Sequence, residues 1–384
     1  MKKHFTLLLA LVMAASLLAG CGAKESDTIK IGINMELSGG VATYGQSTLA
    51  GIELAVKQAN AAGGIGGKQI ELVKYDNKSD SAEATTIATK LMTQDGVLAV
   101  MGPATSGGFK ATIPVALKNK VPVISGSATV DDVTVDANGV KEYAFRICYN
   151  DSFQGTVLAQ YAYNSLSSKT AIVLKDVAND YCKGVASSFT TAFTAAGGTV
   201  AAEESFNTDD TDFSAILTKI KDLNFDVILL SAYYQEAGLV IKQARALGID
   251  CPIIGPDGYD SPSLVELAGA DALNNVYYTN HYSSLDQDPG VLKFISDFNA
   301  EYGKDPDSFN ALGYDLAKFT IDAIARAAQA GELTGETVKA ALESTTDFAG
   351  VTGTFSIDEN HNPVKGIVII KLENGVAVSS EKAK

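Results

Sequence analysis

The chemistry available to this sequence is concentrated in five short polar stretches, each directly after an apolar run. "MGPATSGG" ends in Ser106, Gly107 and Gly108, and "ISGSATVDD" carries Ser127 and Thr129. At the start of a helix, free N–H groups and a hydroxyl suit a carboxylate. "LKDVANDY" ends in Tyr181, "LLSAYYQE" holds Tyr233 and Tyr234, and "IIGPDGYD" holds Asp257. These offer aromatic faces and an acid. Each stretch also has a plainer reading: a serine N-cap, a polar turn, packed tyrosines, or a turn aspartate between Pro256 and Gly258. The division between the two sets is the informative feature. One suits an anion and the other a cation, and an α-amino acid carries a carboxylate beside an ammonium.

Catalytic and metal chemistry have little to draw on. Of the 3 histidines, His4 lies in an apolar leader, and His281 and His361 fall outside the five stretches. No nucleophile elbow lies near a plausible base. Metal-ligand spacings are absent, and no cofactor is implied. Asp131-Asp132 and Asp209-Asp210 read as solvated turns. These gaps argue against an enzyme.

A glycine-rich segment, "AAGGIGGKQIELVKYDN", resembles a phosphate loop at first sight. The order of elements excludes that reading. Leu49, Ile52, Val56 and Ala59 predict a helix over Ser47–Ala62, and a strand follows the glycines. Phosphate sits on the free N–H groups of a helix start, which requires the reverse order. Lys68 is followed by Gln69, not Ser or Thr, so the Walker spacing fails too. Glycine after a helix is expected as a left-handed cap.

The elements that must position these residues alternate along the chain. Strands are predicted at "IKIGINME", "QIELVKYD", "VLAVMG" and "VPVIS", with helices near Ser81–Gln94 and Gly107–Lys118 between them. After "EYAFRICYND" the pattern restarts, with strands "TAIVLK", "TVAAEESF", "DVILLS" and "PIIG". Helices near Ser152–Tyr163, Cys182–Ala196, Phe213–Asp222 and Glu236–Leu247 separate them. Such alternation predicts right-handed βαβ units in parallel sheets, an α/β class with two similar lobes. From about Tyr282 helix dominates, and "VKGIVIIKLENGVAV" predicts a final hairpin turned at Asn374-Gly375. Ligands in open parallel sheets lie beyond the carboxyl ends of strands, where the five stretches fall.

Composition narrows the classes further. The chain has 384 residues, 46% of them hydrophobic, with a formal charge of −15. That is enough for two cores, and it argues against a nucleic-acid partner. "MKKHFTLLLALVMAASLLAGC" reads as an export signal over residues 1–20. Its end, "LAGC", resembles a bacterial lipobox, which makes Cys21 the lipidated first residue and 21–28 a tether. Beyond residue 20 no stretch reaches the roughly 18 apolar residues of a membrane span, so the membrane is met only through that anchor. Cys148, Cys182 and Cys251 are odd in number, which leaves at least one free thiol or an intermolecular bridge; they show no CxxC spacing and read as small, partly buried thiols.

With these stretches in hand, the chain resembles the extracytoplasmic substrate-binding proteins of ABC transporters, and among them the leucine/isoleucine/valine-binding type. The resemblance runs from about Thr28 to Leu372. It rests on an ordered set: "LSGGVATYG", "NAAGGIGGKQIELVKYD", "MGPATSGG", "FRICYNDSFQG", "QARALGI" and "GPDG". It implies a type I periplasmic-binding fold, two doubly wound lobes joined by a three-strand hinge. Lobe 1 would span 29–147 plus 281–360, and lobe 2 148–280 plus 361–384. By matching motif, Ser106 and Thr129 would hold a ligand carboxylate, and Ser127 would contact the ammonium through its backbone. Tyr44, which the resemblance alone supplies, would line the side-chain pocket. Tyr181 and Tyr233 would close it from lobe 2, with Asp257 on the ammonium. The implied partners are a permease and an ATPase, with the protein itself a monomer. Two features depart from the family's leucine binder: Asp257 stands for a longer acid, and Thr105 for a disulfide cysteine. Other members of the family take amides, urea or aromatic acids, and a role as sensor for a receptor would use the same fold.

Overall fold

A computed structural model describes residues 28–383. The export signal, Cys21 and most of the tether lie outside the described residues. In chain order the strands are β1 (Thr28–Met35), β2 (Gln69–Asp76), β3 (Val100–Met101), β4 (Val123–Ser125), β5 (Val135–Asp136), β6 (Gly139–Val140), β7 (Ala144–Arg146), β8 (Thr170–Asp176), β9 (Thr199–Phe206), β10 (Val227–Ser231), β11 (Ile253–Gly255), β12 (Val276–Asn280), β13 (Phe348–Gly350), β14 (Gly353–Phe355), β15 (Ile367–Glu373) and β16 (Val376–Ala383).

Two main sheets result. The first has the order β2-β1-β3-β4-β7 and is parallel throughout. The second runs β16-β15-β12-β11-β10-β8-β9; its strands from β12 to β9 are parallel, and the β15–β16 hairpin adds antiparallel to β12. β10, "VILLS", is buried at every residue, as a central strand covered on both faces must be. The outer strand β9 alternates between more and less exposed residues, and its sequence "TVAAEESF" is correspondingly polar. Strand order reverses between β1 and β3 in one sheet and between β8 and β10 in the other. Ligands in such sheets bind at these reversals, beyond the carboxyl ends of the strands. The loops there lead to Tyr44, Ser106, Tyr181 and Tyr233.

Each α/β set folds as a lobe, and the C-terminal helices return to the first. The helix Ala42–Ala61 packs along Ser308–Ala330. The two backbones nearly touch: a Cβ at Gly51 would lie 2.0 Å from Asn310 O, and one at Gly313 2.0 Å from Thr48 O. Only glycine fits at either point. Among the described residues the chain passes between the sheets three times, at 147–150, 281–288 and 356–366. No helix of the described residues is long and apolar enough to cross a membrane.

The glycine-rich segment does two jobs. The helix ends at Ala61, and Gly64 N–H closes onto Ala59 O at 2.9 Å. Gly66 and Gly67 then form a two-residue turn with φ of +59° and +85°, and Ile65 and Lys68 exchange backbone bonds across it. Positive φ at both central positions is the twist-matched geometry that glycine supplies without strain.

Candidate functional site

The loops at the two strand-order reversals face one another across the cleft. Between them lies a cavity of about 250 Å³. Tyr44, Ala104, Thr105, Ser106 and Ser127 line it on the first lobe, with Phe309 beside them. Tyr181, Tyr233, Asp257 and Gly258 line it on the second. Six of the seven residues singled out from the sequence therefore share one wall-to-wall space, and Thr129 stands behind it.

On the first lobe, Thr105 rather than Ser106 caps the helix Ser106–Asn119, its hydroxyl accepting the Gly108 N–H at 3.3 Å. Ser106 is the first helical residue, so its hydroxyl is released from capping and instead accepts the Val130 N–H at 3.3 Å. The loop before it is gripped by Glu36, a residue sequence reasoning missed. Its carboxylate accepts Ala104 N–H and Thr105 N–H, both at 3.0 Å, and the Thr105 hydroxyl at 2.7 Å. Glu36 and Thr105 thus hold this loop through hydrogen bonds. Ser127 donates to Ala104 O at 2.9 Å, tying the second loop to the first. The Thr129 hydroxyl is fully buried, beside the Asp151 carboxyl but short of a well-formed hydrogen bond. Burial holds that carboxyl well above its usual range, with the Thr129 hydroxyl acting in the opposite direction.

On the second lobe, Asp257 is 3% exposed. Its Oδ1 accepts the Tyr181 hydroxyl at 2.7 Å, and its Oδ2 lies 3.0 Å from His281 Nε2. The Asp257 N–H is fixed by Gln154 Oε1 at 2.9 Å, which also accepts from Thr279 at 2.6 Å. A carboxylate only accepts, so Nε2 carries the proton. Burial pushes the His281 imidazole below its ordinary value, against the pull of Asp257, and its ring stacks on Tyr149 at 3.7 Å. A carboxylate has about four acceptor positions, so two protein donors leave room for a ligand cation.

An aromatic box completes the space. Tyr44 stacks on Phe309 at 4.4 Å and meets Tyr233 edge-on at 5.4 Å, while Tyr233 stacks on Tyr181 at 5.2 Å. Tyr44 also spans the cleft: its hydroxyl donates to Gly258 O and accepts the Tyr234 N–H at 3.3 Å. Further cross-lobe bonds run from Ser308 N–H to Asp260 at 2.9 Å, from Ser261 to Thr43 at 3.2 Å, and from Lys110 to Asp180 at 3.4 Å. The lobes are closed on one another.

His281 lies outside the five polar stretches of the sequence yet joins the site. It directly follows β12, a strand whose "VYYTN" was not recognised from the sequence. His361 does stay apart, at the third crossing, with Nδ1 3.0 Å from Ala144 O. Phe309 and Gln154 were hidden inside helical patterns that explain an apolar or polar residue equally well. The three thiols of the described residues are free. Burial pushes Cys148 up to about 12 and Cys251 up to about 11, so thiolate chemistry is suppressed.

Comparison with known proteins shows the family. The chain matches the periplasmic binding protein family over residues 28–377. The leucine-, isoleucine-, valine-, threonine- and alanine-binding protein of Pseudomonas aeruginosa is 33% identical over 360 residues, 93% of each chain. A branched-chain amino acid transporter substrate-binding protein from Streptococcus pneumoniae, solved in complex with isoleucine, is 42% identical. It superposes with a TM-score of 0.87 over 92% of this chain and 99% of that one. A leucine-binding protein from Thermotoga maritima is 33% identical, with a TM-score of 0.85 over 92% and 99%.

Proposed function

We propose, from the premise that this chain belongs to the periplasmic binding protein family, that it is the extracytoplasmic solute-binding component of an ABC importer for a branched-chain or other aliphatic α-amino acid. The observation that carries this reading is the pairing within one small cavity. Ser106 and Ser127 line it from one lobe and Asp257 from the other, together with the rings of Tyr44, Tyr181, Tyr233 and Phe309. The ligand carboxylate meets the start of the helix Ser106–Asn119, where unpaired N–H groups and the helix dipole favour an anion. The Thr129 hydroxyl, without a hydrogen-bond partner of its own, is the further donor for that carboxylate. The ammonium pairs with Asp257 and the Ser127 backbone. Tyr44, Tyr181, Tyr233 and Phe309 take the apolar side chain.

Capture proceeds by closure. Each lobe alone offers half the contacts, so a ligand stabilises the closed form only by touching both. We assign lobe 1 to residues 29–147 plus 281–360, and lobe 2 to 148–280 plus 361–384. The partners are a membrane permease and its ATPase. Cys21, by its lipobox setting, is the lipidated residue that keeps the protein at the outer face of the membrane. The protein binds and delivers its ligand without converting it.

A thermal-shift screen against amino acids, amides, urea and aromatic acids tests the assignment. Leucine, isoleucine or valine at 100 times its Kd should add about 2.7 kcal/mol of stability. Stabilisation by amides, urea or aromatic acids alone would refute it.

A further inference from the structure

Arg146 is wholly buried at the end of β7, behind the loop that carries Ser127 and Thr129. Its Nη1 donates to three consecutive carbonyls, Ala128 at 3.2 Å and Thr129 and Val130 at 2.8 Å each. Its Nε donates to Asn362 Oδ1 at 2.7 Å, which also accepts the Thr134 hydroxyl at 2.8 Å. Among the described residues no carboxylate forms an ion pair with the guanidinium. Asp151 lies close enough to feel it, yet burial holds that carboxyl well above its usual range.

The direction of these bonds matters. In a trans peptide the carbonyl and the following N–H point opposite ways. Three carbonyls turned back onto Arg146 turn the next N–H groups forward. One of these is seen to do so: the Val130 N–H donates to Ser106 Oγ, on the cavity wall. The neighbouring loop is held in the complementary sense, with Glu36 accepting N–H groups of Ala104 and Thr105.

We propose that Arg146 is the positioning residue that makes this loop anion-selective, so that the site prefers a free carboxylate over the corresponding amide. It holds the Ala128, Thr129 and Val130 carbonyls away from the cleft, so that beyond Ser127 the loop turns donors rather than acceptors toward the ligand carboxylate. An amide offers NH₂ donors of its own and needs an acceptor there. The inference rests on the amino-acid reading given above and adds the residue that sets its selectivity.

Leucine and leucinamide share an ammonium and a side chain, and calorimetry on both reads the selectivity directly. The variants are Arg146→Lys, whose single ammonium has three N–H donors for the four acceptors that Nη1 and Nε now hold, and Asn362→Asp. The second keeps an oxygen acceptor for the Arg146 Nε–H and the Thr134 hydroxyl, and its added negative charge draws the guanidinium off the loop carbonyls. In each, the preference for leucine over leucinamide should fall by at least about tenfold, the scale of discrimination set by unpaired polar groups. Hydrogen exchange of the Thr129 and Val130 amides, measured without ligand, should speed up in Arg146→Lys. Equal weakening of both ligands in Asn362→Asp would overturn the proposal, because a merely structural residue moves both alike. If wild type binds no amino acid, the ligand reading falls, and unchanged exchange in Arg146→Lys would then overturn the role of Arg146 by itself.

Discussion

The Tyr181 hydroxyl sits between Asp257 and the next peptide, donating to Asp257 Oδ1 at 2.7 Å and accepting the Gly258 N–H at 2.9 Å. It fixes the carboxylate's rotation while the turn "GPDG" fixes its backbone. Asp257 is therefore preorganised toward the cavity.

Asp257→Ala should abolish tight binding while the protein stays folded. Removing one partner of a buried charge pair costs about 2–5 kcal/mol in binding, roughly 30-fold or more. Calorimetry checks it, and affinity within about threefold of wild type would show that Asp257 does not hold an ammonium. Asp257→Glu tests reach against charge, since the longer acid stands here in the leucine binder the sequence resembles.

Tyr44→Phe removes the hydroxyl that bridges Gly258 O and the Tyr234 N–H across the cleft. Both groups are paired through Tyr44 only when the lobes are closed. Leaving a buried donor unpaired costs about 1–3 kcal/mol. We expect ligand release to speed up by about tenfold, at 1.4 kcal/mol per decade, with a smaller change in the melting temperature of the ligand-free protein. Stopped-flow dissociation reads the first and calorimetric melting the second. Unchanged release would mean that closure does not depend on this bridge.

His281 makes binding sensitive to acid. Burial depresses its folded pKa below the ordinary 6.5, so in the closed protein it is neutral at pH 7. A lowered folded pKa means that the unfolded chain holds more protons in the window between the two values. Its stability contribution is therefore complete above about 6.5, and is lost as pH falls through the depressed folded value. Protonated, the ring would also compete with the ligand ammonium for Asp257. Affinity should be flat above pH 7 and fall toward pH 5, with a weaker fall in His281→Gln, whose amide still offers a donor. Calorimetry across that range decides it, and equal slopes in both proteins would exclude His281 as the cause.

Gly313→Ala should destabilise the first lobe without touching the cleft. The added methyl would meet Thr48 O at 2.0 Å, and backbone cannot yield as a flexible side chain does. Overpacking of this kind costs about 1–3 kcal/mol or more. Melting temperature should drop while the folded fraction binds ligand normally. A melting temperature equal to wild type would mean that the two helices separate freely.

How much of this was legible in the sequence follows from the range of each interaction. The alternating strands and helices were readable because side-chain periodicity and glycine turns act within a few residues, as "TVAAEESF" for β9 shows. The strand-end rule then pointed to Ser106, Ser127, Tyr181, Tyr233 and Asp257 without any contact being known. Tyr44 came from resemblance alone, since nothing near it in the chain marks a residue whose hydroxyl meets Gly258 across 214 positions. His281 was lost with β12, whose tyrosine-rich "VYYTN" becomes a strand only between β11 and β15. Glu36 and Arg146 could not be read at all, because an isolated acid or arginine normally signifies a solvated surface. Only the fold buries them and turns their hydrogen bonds onto loops 68 and 17 residues away. The sequence by itself determined most of the alternating elements and which loops line the cavity. Which charges sit behind those loops was decided by tertiary structure, because burial and partner choice depend on segments distant in the chain.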